Sequence, residues 1–572
     1  MDKKFLLYLS LFILILLFVF RNLILNISTN LIDWLDYPYV IWVMSQSINH
    51  IQNLDFANFF ETNAFYPHKM TLLFSDLLLP QALILLSFLT VSKNLILSFN
   101  LTFIFTFILN YISLFLFWKQ IFKKDLIAFF GSLFVIFSPF FFMELSHFQM
   151  MSYWPFFFAF YFLFKQEEKF QMKNLILIGL LLTVQFLASV YIAVYLIFSI
   201  IAFYFLKWIF QKQNKEIFKR ISLIFLIFAV SCGIFIKGYS DMRAAYNIKR
   251  NIEEYINYSA HLTDYVFTKS IKSTLHQSPL MQYWNGFDKN QRSHSSFPGF
   301  LIFVLGIYTI FKITRSKHLL TINLELNREK SFFLILLITG LVFSLGPRLN
   351  FNGNYAHIPL PYNAVVNFIP GAEAVRVPVR WSFLFFLGFI YFSLITLNKL
   401  SNKKSYKLIF ISIFIIFILE YLPISVKSEQ YHYKEDNYQI LQENCSKEKK
   451  VLLELPLTHL DAYPNIYEGL RYLTVMEFSS IQHGCYLVNG YSGYDLPENF
   501  ALSATLSKYI ENQQTEEFLE ELISRNVDYV KFNRYYFIKE LKPFIIDFIN
   551  EFSIKNGVEK INEDLFYIRK PF

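Results

Sequence analysis

Long apolar runs separated by short polar loops fill the first three quarters of the chain. Eleven of them, near residues 5–25, 95–118, 125–144, 151–165, 174–189, 191–211, 221–239, 297–314, 331–346, 378–398 and 406–426, read as membrane-crossing helices. A hydrocarbon layer about 30 Å thick asks for about 20 apolar residues in a helix, so the shorter runs have loose ends. Phe5 to Leu25 exceeds the apolar core of a signal peptide and lacks a small-residue cleavage site, so it reads as a retained first span. Beyond residue 428 the pattern changes. KKVLLELPL and NVDYVKFN predict strands, and TEEFLEELISRN and KPFIIDFINEF predict helices. The expected organisation is a transmembrane domain over 1–427 and a small α/β domain over 428–572.

The loops orient the spans. Five basic clusters fall between apolar runs: Lys119, Lys123 and Lys124; Lys165, Lys169 and Lys173; Lys212, Lys215, Lys219 and Arg220; Arg315, Lys317, Arg328 and Lys330; Lys399, Lys403, Lys404 and Lys407. All five belong on the cytoplasmic side by the positive-inside rule. That holds only if the apolar segment 77–92, LLLPQALILLSFLTVS, does not cross. It is therefore expected as an interfacial or re-entrant helix with Pro80 near its start. The N-terminus then lies in the cytoplasm, and residues 27–94, 240–296, 347–377 and 428–572 lie outside.

Composition agrees with this picture. The 572 residues are 55% hydrophobic and 17% charged, with 70 Phe, which fits an α-helical polytopic membrane protein. A net charge of +9 would suit a nucleic-acid partner, but the cations sit in loops between spans, so none is expected and the bilayer is the partner. Cys232 lies in an apolar run. Cys445 and Cys485 could pair if the C-terminal region faces an oxidising compartment.

Candidate chemistry concentrates in the outer regions. The first opens with TNLIDWLDYPYVIW, and Ile41, Met44, Ile48 and Ile51 follow at helical spacing, which predicts a helix lying on the membrane with Asp36 before its first turn. Asp36 is then either an N-cap or a general base at the membrane surface. In the later outer regions, Arg243, Lys249 and Arg250 stand among tyrosines, and PGAEAVRVPVRW places Arg376 and Arg380 around Pro378. Arginine grips phosphate in a bidentate way, although snorkelling or pairing with a glutamate would serve equally. His147 in ELSHFQMMSYWP and His68 lack any metal-binding spacing. Ser492, His483 and Asp495 lack the GxSxG elbow, so a turn is expected there.

Several stretches, taken in order, resemble one known group. DYPYVIW is followed by NAFYPH and a proline-containing apolar segment, then FSPFFFMELSHFQMMSYWP and NIEEYINYSAHLTDY with FPGF. SLGP through PLPYNAVVNFIPGAEAVRVPVRW comes next, and VLLELP, LVNGYSGY and NVDYVKFN close the series. Together they resemble bacterial polytopic proteins of the GT-C glycosyltransferase superfamily over nearly the whole chain. The resemblance implies about 11 spans with an extracytoplasmic C-terminal α/β domain in the plasma (inner) membrane. It also implies transfer of a sugar from a polyprenyl-phosphate donor to a cell-envelope glycan or lipid acceptor on the outer face. On this likeness Asp36 is the catalytic base and Asp33 a supporting or capping residue. Arg250, Arg376 and Arg380 would bind the carrier phosphate; Tyr37, His68 and His147 would line the sugar or acceptor pocket. Many members add a second loop carboxylate that helps to hold a divalent metal. Asp76, Glu144 and Asp264 carry no such mark, so a divalent metal stays open and no ligand is assigned. A transporter or flippase for a lipid-linked saccharide would instead need polar groups along the spans, which offer mainly Asn100, Asn110, Gln185 and Lys237. A non-catalytic envelope-assembly scaffold is the third reading.

Overall fold

The computed structural model describes the chain apart from residues 1–2, 212–213, 268–272, 288–295, 316–323, 352–353, 369–370, 372–373, 424–425, 431–437, 459–465, 495, 538–540 and 571–572. Each of the eleven apolar runs lies on a helix. Among the described residues, five helices are long and apolar enough to cross a membrane by themselves: Leu95–Phe122, Asp125–Met143, Val190–Phe210, Lys215–Ala245 and Pro378–Leu400. The segment expected to stay out of the bilayer forms Leu79–Ser92, with a proline in its first turn. At about 1.5 Å per residue it is roughly 21 Å long, short of a full crossing. The chain divides into two compact units.

The first unit holds Met1–Ile27, Asn100–Lys237 and Asn247–Lys427. Its helices pack through aromatic rings and, where two backbones meet, through glycine. A Cβ on Gly340 would stand 2.2 Å from the Phe385 nitrogen, and one on Gly388 would stand 2.5 Å from the Phe333 carbonyl. Only glycine permits helices Leu324–Ser344 and Ser382–Leu400 to approach so closely. Beside that contact, the Phe333 and Tyr391 rings stack at 3.9 Å.

Between Asp125–Ile136 and Trp154–Glu168 the chain runs through two short helices, Pro139–Met143 and Phe148–Met151, and the turns around them, whose backbone groups need partners in an apolar setting. Polar residues of neighbouring spans supply them. The Asn110 amide donates to the Met151 carbonyl at 2.7 Å, and Gln185 donates to Ser152 O at 3.1 Å while accepting from Phe156 N at 3.1 Å. Asn100 serves the Ile27 carbonyl at 2.7 Å. Three of the four polar residues that a transport path would use are thus engaged on backbone.

The second unit holds Ser28–Phe99, Gly238–Tyr246 and Ser428–Phe572. A five-stranded sheet runs in the order Tyr486–Leu487, Val451–Leu455, Tyr529–Phe532, Leu565–Ile568, Val558–Lys560. The first three strands are parallel and the last two antiparallel to their neighbours. Helices Pro497–Glu511, Thr515–Ser524 and Lys542–Phe552 cover it, burying Leu453, Leu455, Phe518, Phe532, Phe548 and Phe566 in one apolar core. Glu454 and Lys531, paired in register on adjacent strands, form a buried ion pair at 3.0 Å that Asn533 completes at 3.0 Å. Cys445 and Cys485 are disulfide-bonded.

This division corrects the expected boundary at 427/428. Residues 27–94 read as a loop of the transmembrane domain, yet Ser28–Phe99 belongs to the same compact unit as the C-terminal region. The cause is backbone pairing at the sheet edge. Leu487 N donates to Asn63 O at 2.6 Å, Tyr66 N to Leu487 O at 2.8 Å and Phe65 N to Asn489 O at 2.9 Å. Residues 63–66 thereby take up the hydrogen-bonding groups of an otherwise open edge strand.

Candidate functional site

The aspartates sit in a stretch of the second unit that is fixed on both sides. Asn30–Leu31 pairs antiparallel with Glu429–Gln430, and the buried Trp34 indole donates to Glu429 O at 2.7 Å. Asp33 then turns back on the chain: Oδ1 accepts from Leu35 N at 2.8 Å and Oδ2 from Asp36 N at 3.4 Å. Asp33 thus holds the turn that leads into the next helix, whose N-cap is Leu35. Asp36 is the first residue of that helix, Asp36–Gln52, and is half-buried. A carboxylate there lies in the favourable field of the helix N-terminus.

Two expectations about this helix need correction. It was read as lying on the membrane surface, but every residue from Tyr37 to Met44 is buried. It packs against Ile466–His483 and Leu79–Ser92, so its surroundings are protein nearly all round. Tyr37, expected to line a sugar pocket, is wholly buried with its ring edge-on to Phe99 at 5.0 Å. Burial, and then the charges of Asp33 and Asp36, push its hydroxyl pKa well above 10. It is a neutral wall behind the carboxylates.

His68 stands elsewhere in the second unit. Its Nε2 is 3.4 Å from Glu498, its ring lies against Tyr246, and burial lowers its pKa. The rejected triad also resolves: Ser492 Oγ donates to Tyr494 O within a turn, and His483 is buried against Tyr438, with a pKa lowered to about 3 by burial and then by Lys531. Asp495 lies outside the described residues.

In the first unit the structure gathers the other candidates around two glutamates. Glu144 takes Arg380, whose Nε and Nη2 both lie 3.0 Å from Oε2, and His147, whose Nδ1 is 3.2 Å away. The arginine and carboxylate side chains are only 6% and 7% exposed, and the guanidinium also lies over the Tyr191 ring at 4.8 Å. Burial alone would raise the Glu144 pKa, but Arg380 and His147 outweigh it and hold the carboxyl far below its ordinary range. Arg380 was expected to bind phosphate; its charge is instead neutralised inside the protein. It positions Glu144, which in turn orients the more accessible His147.

Glu254 takes the other pair. Arg250 Nη1 is 2.7 Å from its Oε1 and Arg376 Nη1 is 3.4 Å from the same oxygen. Arg376, 34% exposed, also faces Tyr258. The stretches around residues 258–261 and 350–379 are joined here. Val379 N donates to Tyr258 O at 3.1 Å, and Asn350 meets the His261 ring at 2.7 Å. Pro378 begins the short turn Pro378–Trp381 that leads into the next helix, so Arg376 stands just before it.

Among the described residues no three of His, Cys, Asp or Glu converge as metal ligands. Glu144 is engaged as above, and Asp264 accepts from His261 N at 2.7 Å. No metal step is assigned.

Long apolar helices, a turn region served by span side chains, and carboxylates and arginines fixed at helix ends define a polytopic helical membrane protein. Its fold is similar to that of a solved oligosaccharyltransferase. The Archaeoglobus fulgidus oligosaccharyltransferase in its apo form matches with a TM-score of 0.53 at 11% identity, covering 92% of this chain and 69% of that one. The same enzyme in complex with Zn and sulfate matches at 0.54 with 12% identity, covering 92% and 68%. At the level of sequence, residues 11–420 match the family described as Domain of unknown function (DUF6311), and the chain belongs to that family. No curated protein matches it in sequence.

Proposed function

We propose that the protein is an integral membrane glycosyltransferase of GT-C type, moving a sugar from a polyprenyl-phosphate donor to a cell-envelope glycan or lipid acceptor on the outer face. The observation that carries this reading is a first-loop carboxylate held at a helix mouth, Asp36 behind the turn that Asp33 holds, within a fold similar to that of an oligosaccharyltransferase. A fold hosts many activities, so the argument rests on the residues. Asp36 accepts the proton of the acceptor hydroxyl as its oxygen attacks the anomeric carbon. The bond from that carbon to the phosphate oxygen breaks, and the leaving phosphate departs with the bonding electrons. Arg376, helped by Arg250, is the proposed partner of that charge. His147, oriented by Glu144, is a polar contact for the sugar or acceptor.

The test is purified protein supplied with radiolabelled polyprenyl-phosphate sugar in liposomes. Release or transfer of the sugar supports the proposal. Movement of intact donor between leaflets without cleavage would favour a flippase, and neither result would favour a scaffold.

A further inference from the structure

The lysine- and arginine-rich ends of the first unit's helices hold a second cluster, unrelated to the residues above. Glu167, near the end of Trp154–Glu168, accepts from Lys207 Nζ at 2.7 Å and from Arg328 Nη2. Lys207 belongs to Val190–Gln211 and Arg328 to Leu324–Ser344, so three helices meet at one carboxylate. Arg220, on a fourth helix, Asn214–Ala245, lies within electrostatic range of Lys207 and rests over Phe170 at 4.4 Å. The Lys207 and Arg328 side chains are 7% and 9% exposed.

The charges do not balance. Lys207 and Arg328 pair with Glu167 and Arg220 stands near Lys207; Glu168 pairs with Lys123, and Glu329, which accepts from Tyr391 at 2.7 Å, lies within range of Arg328, so three cations stand against two carboxylates. Two guanidinium donors, Arg328 Nη1 and Arg220 Nε, are buried without a hydrogen-bond partner among the described residues. An excess buried cation with an unused N–H is costly, and a multi-oxygen anion relieves both deficits at once. Planar guanidinium forks match phosphate in particular. Basic pockets between spans at their cationic ends are also where phosphorylated headgroups bind.

We propose that Lys207, Arg220 and Arg328 form a phosphate-binding site. The ligand class is a phosphate group, carried either by an anionic lipid or by a soluble phosphate compound. The site is distinct from the sugar-transfer residues. Along Val190–Gln211, Tyr191 packs on Arg380 near one end and Lys207 holds Glu167 near the other. At 1.5 Å per residue they are about 24 Å apart.

The test uses full-length protein in nanodiscs, comparing wild type with Arg220→Gln, which leaves both Glu167 ion pairs in place, and with Lys215→Gln as a control for general surface charge. Thermal midpoint and lipid retention by native mass spectrometry are read in phosphatidylcholine, in phosphatidylglycerol, and in phosphatidylcholine with inorganic phosphate. Wild type and Lys215→Gln should be stabilised by phosphatidylglycerol, and Arg220→Gln should bind it about ten-fold more weakly, the worth of one charge-assisted hydrogen bond. The same pattern with inorganic phosphate alone assigns the site to a soluble ligand. Equal responses in all three proteins, or none, would overturn the proposal and leave the cluster a structural ion network.

Discussion

Replacing Arg380 by Met separates a structural cation from a substrate-binding one. Its guanidinium and the Glu144 carboxylate are 6% and 7% exposed and meet at 3.0 Å. Removing one member of a buried pair strands the other charge, at about 3–5 kcal/mol. Arg376, by contrast, is 34% exposed and 3.4 Å from a carboxylate that already holds Arg250, so Arg376→Gln should cost at most about 1 kcal/mol. Unfolding of detergent-solubilised protein, followed by tryptophan fluorescence, should rank them in that order. The sign of the pH dependence is also fixed. The Glu144 pKa is depressed in the folded protein, so its pair contributes stability that is present above the unfolded carboxylate range, about pH 4, and is lost as the pH falls further. In Arg380→Met the stranded Glu144 does better protonated, so the deficit against wild type should shrink on going from pH 8 to pH 5. The double variant Arg380→Met, Glu144→Gln should recover much of the loss. If Arg380→Met matched wild type in stability and lost only donor binding, the assignment of Arg380 to the interior would be wrong.

Other predictions concern the second unit. Glu477 is fully buried, accepts from Tyr491 N at 2.7 Å, and has its pKa raised well above the carboxylate range by burial. A raised carboxyl favours the fold while protonated and loses that as the pH rises through its folded pKa. Glu477→Gln should therefore stabilise the protein at pH 8 by about 1–3 kcal/mol, with the gain vanishing at low pH in the same melting assay. Asp33→Ala removes the acceptor for Leu35 N and Asp36 N, and should cost about 1 kcal/mol and reduce turnover by misplacing Asp36. The Cys445–Cys485 bond closes a 40-residue separation, so Cys445→Ser should cost about 4 kcal/mol by loop entropy. Thiol trapping in intact cells should find the pair oxidised if that region faces an oxidising compartment, and reduced otherwise.

Much of the fold was legible because apolar length and periodicity are local. The apolar runs fall on helices, two of them broken in two, and the four C-terminal elements lie where their patterns stand. Part of the site is local in sequence: Asp33 accepts from Asp36 N three residues on, and Arg250, just before helix Ile252–Asn257, meets Glu254 within it rather than Glu253. Glu144 and Arg380 are 236 residues apart, a pairing that no spacing rule reaches. The membership of Ser28–Phe99 in the C-terminal unit was hidden for the same reason, because it rests on edge hydrogen bonds between residues 63–66 and 487–489. Tyr37 misled because an aromatic beside two aspartates reads alike whether it faces a ligand or the core.

The central claim is that Asp36 takes a proton from the acceptor in a sugar transfer. The direct measurement is turnover of polyprenyl-phosphate sugar by purified Asp36→Asn and Asp36→Ala proteins that insert and melt like wild type. A general base contributes about 10²–10⁴-fold, so both variants should lose at least about a hundred-fold in rate while donor binding is kept. Wild-type turnover in both would contradict the account.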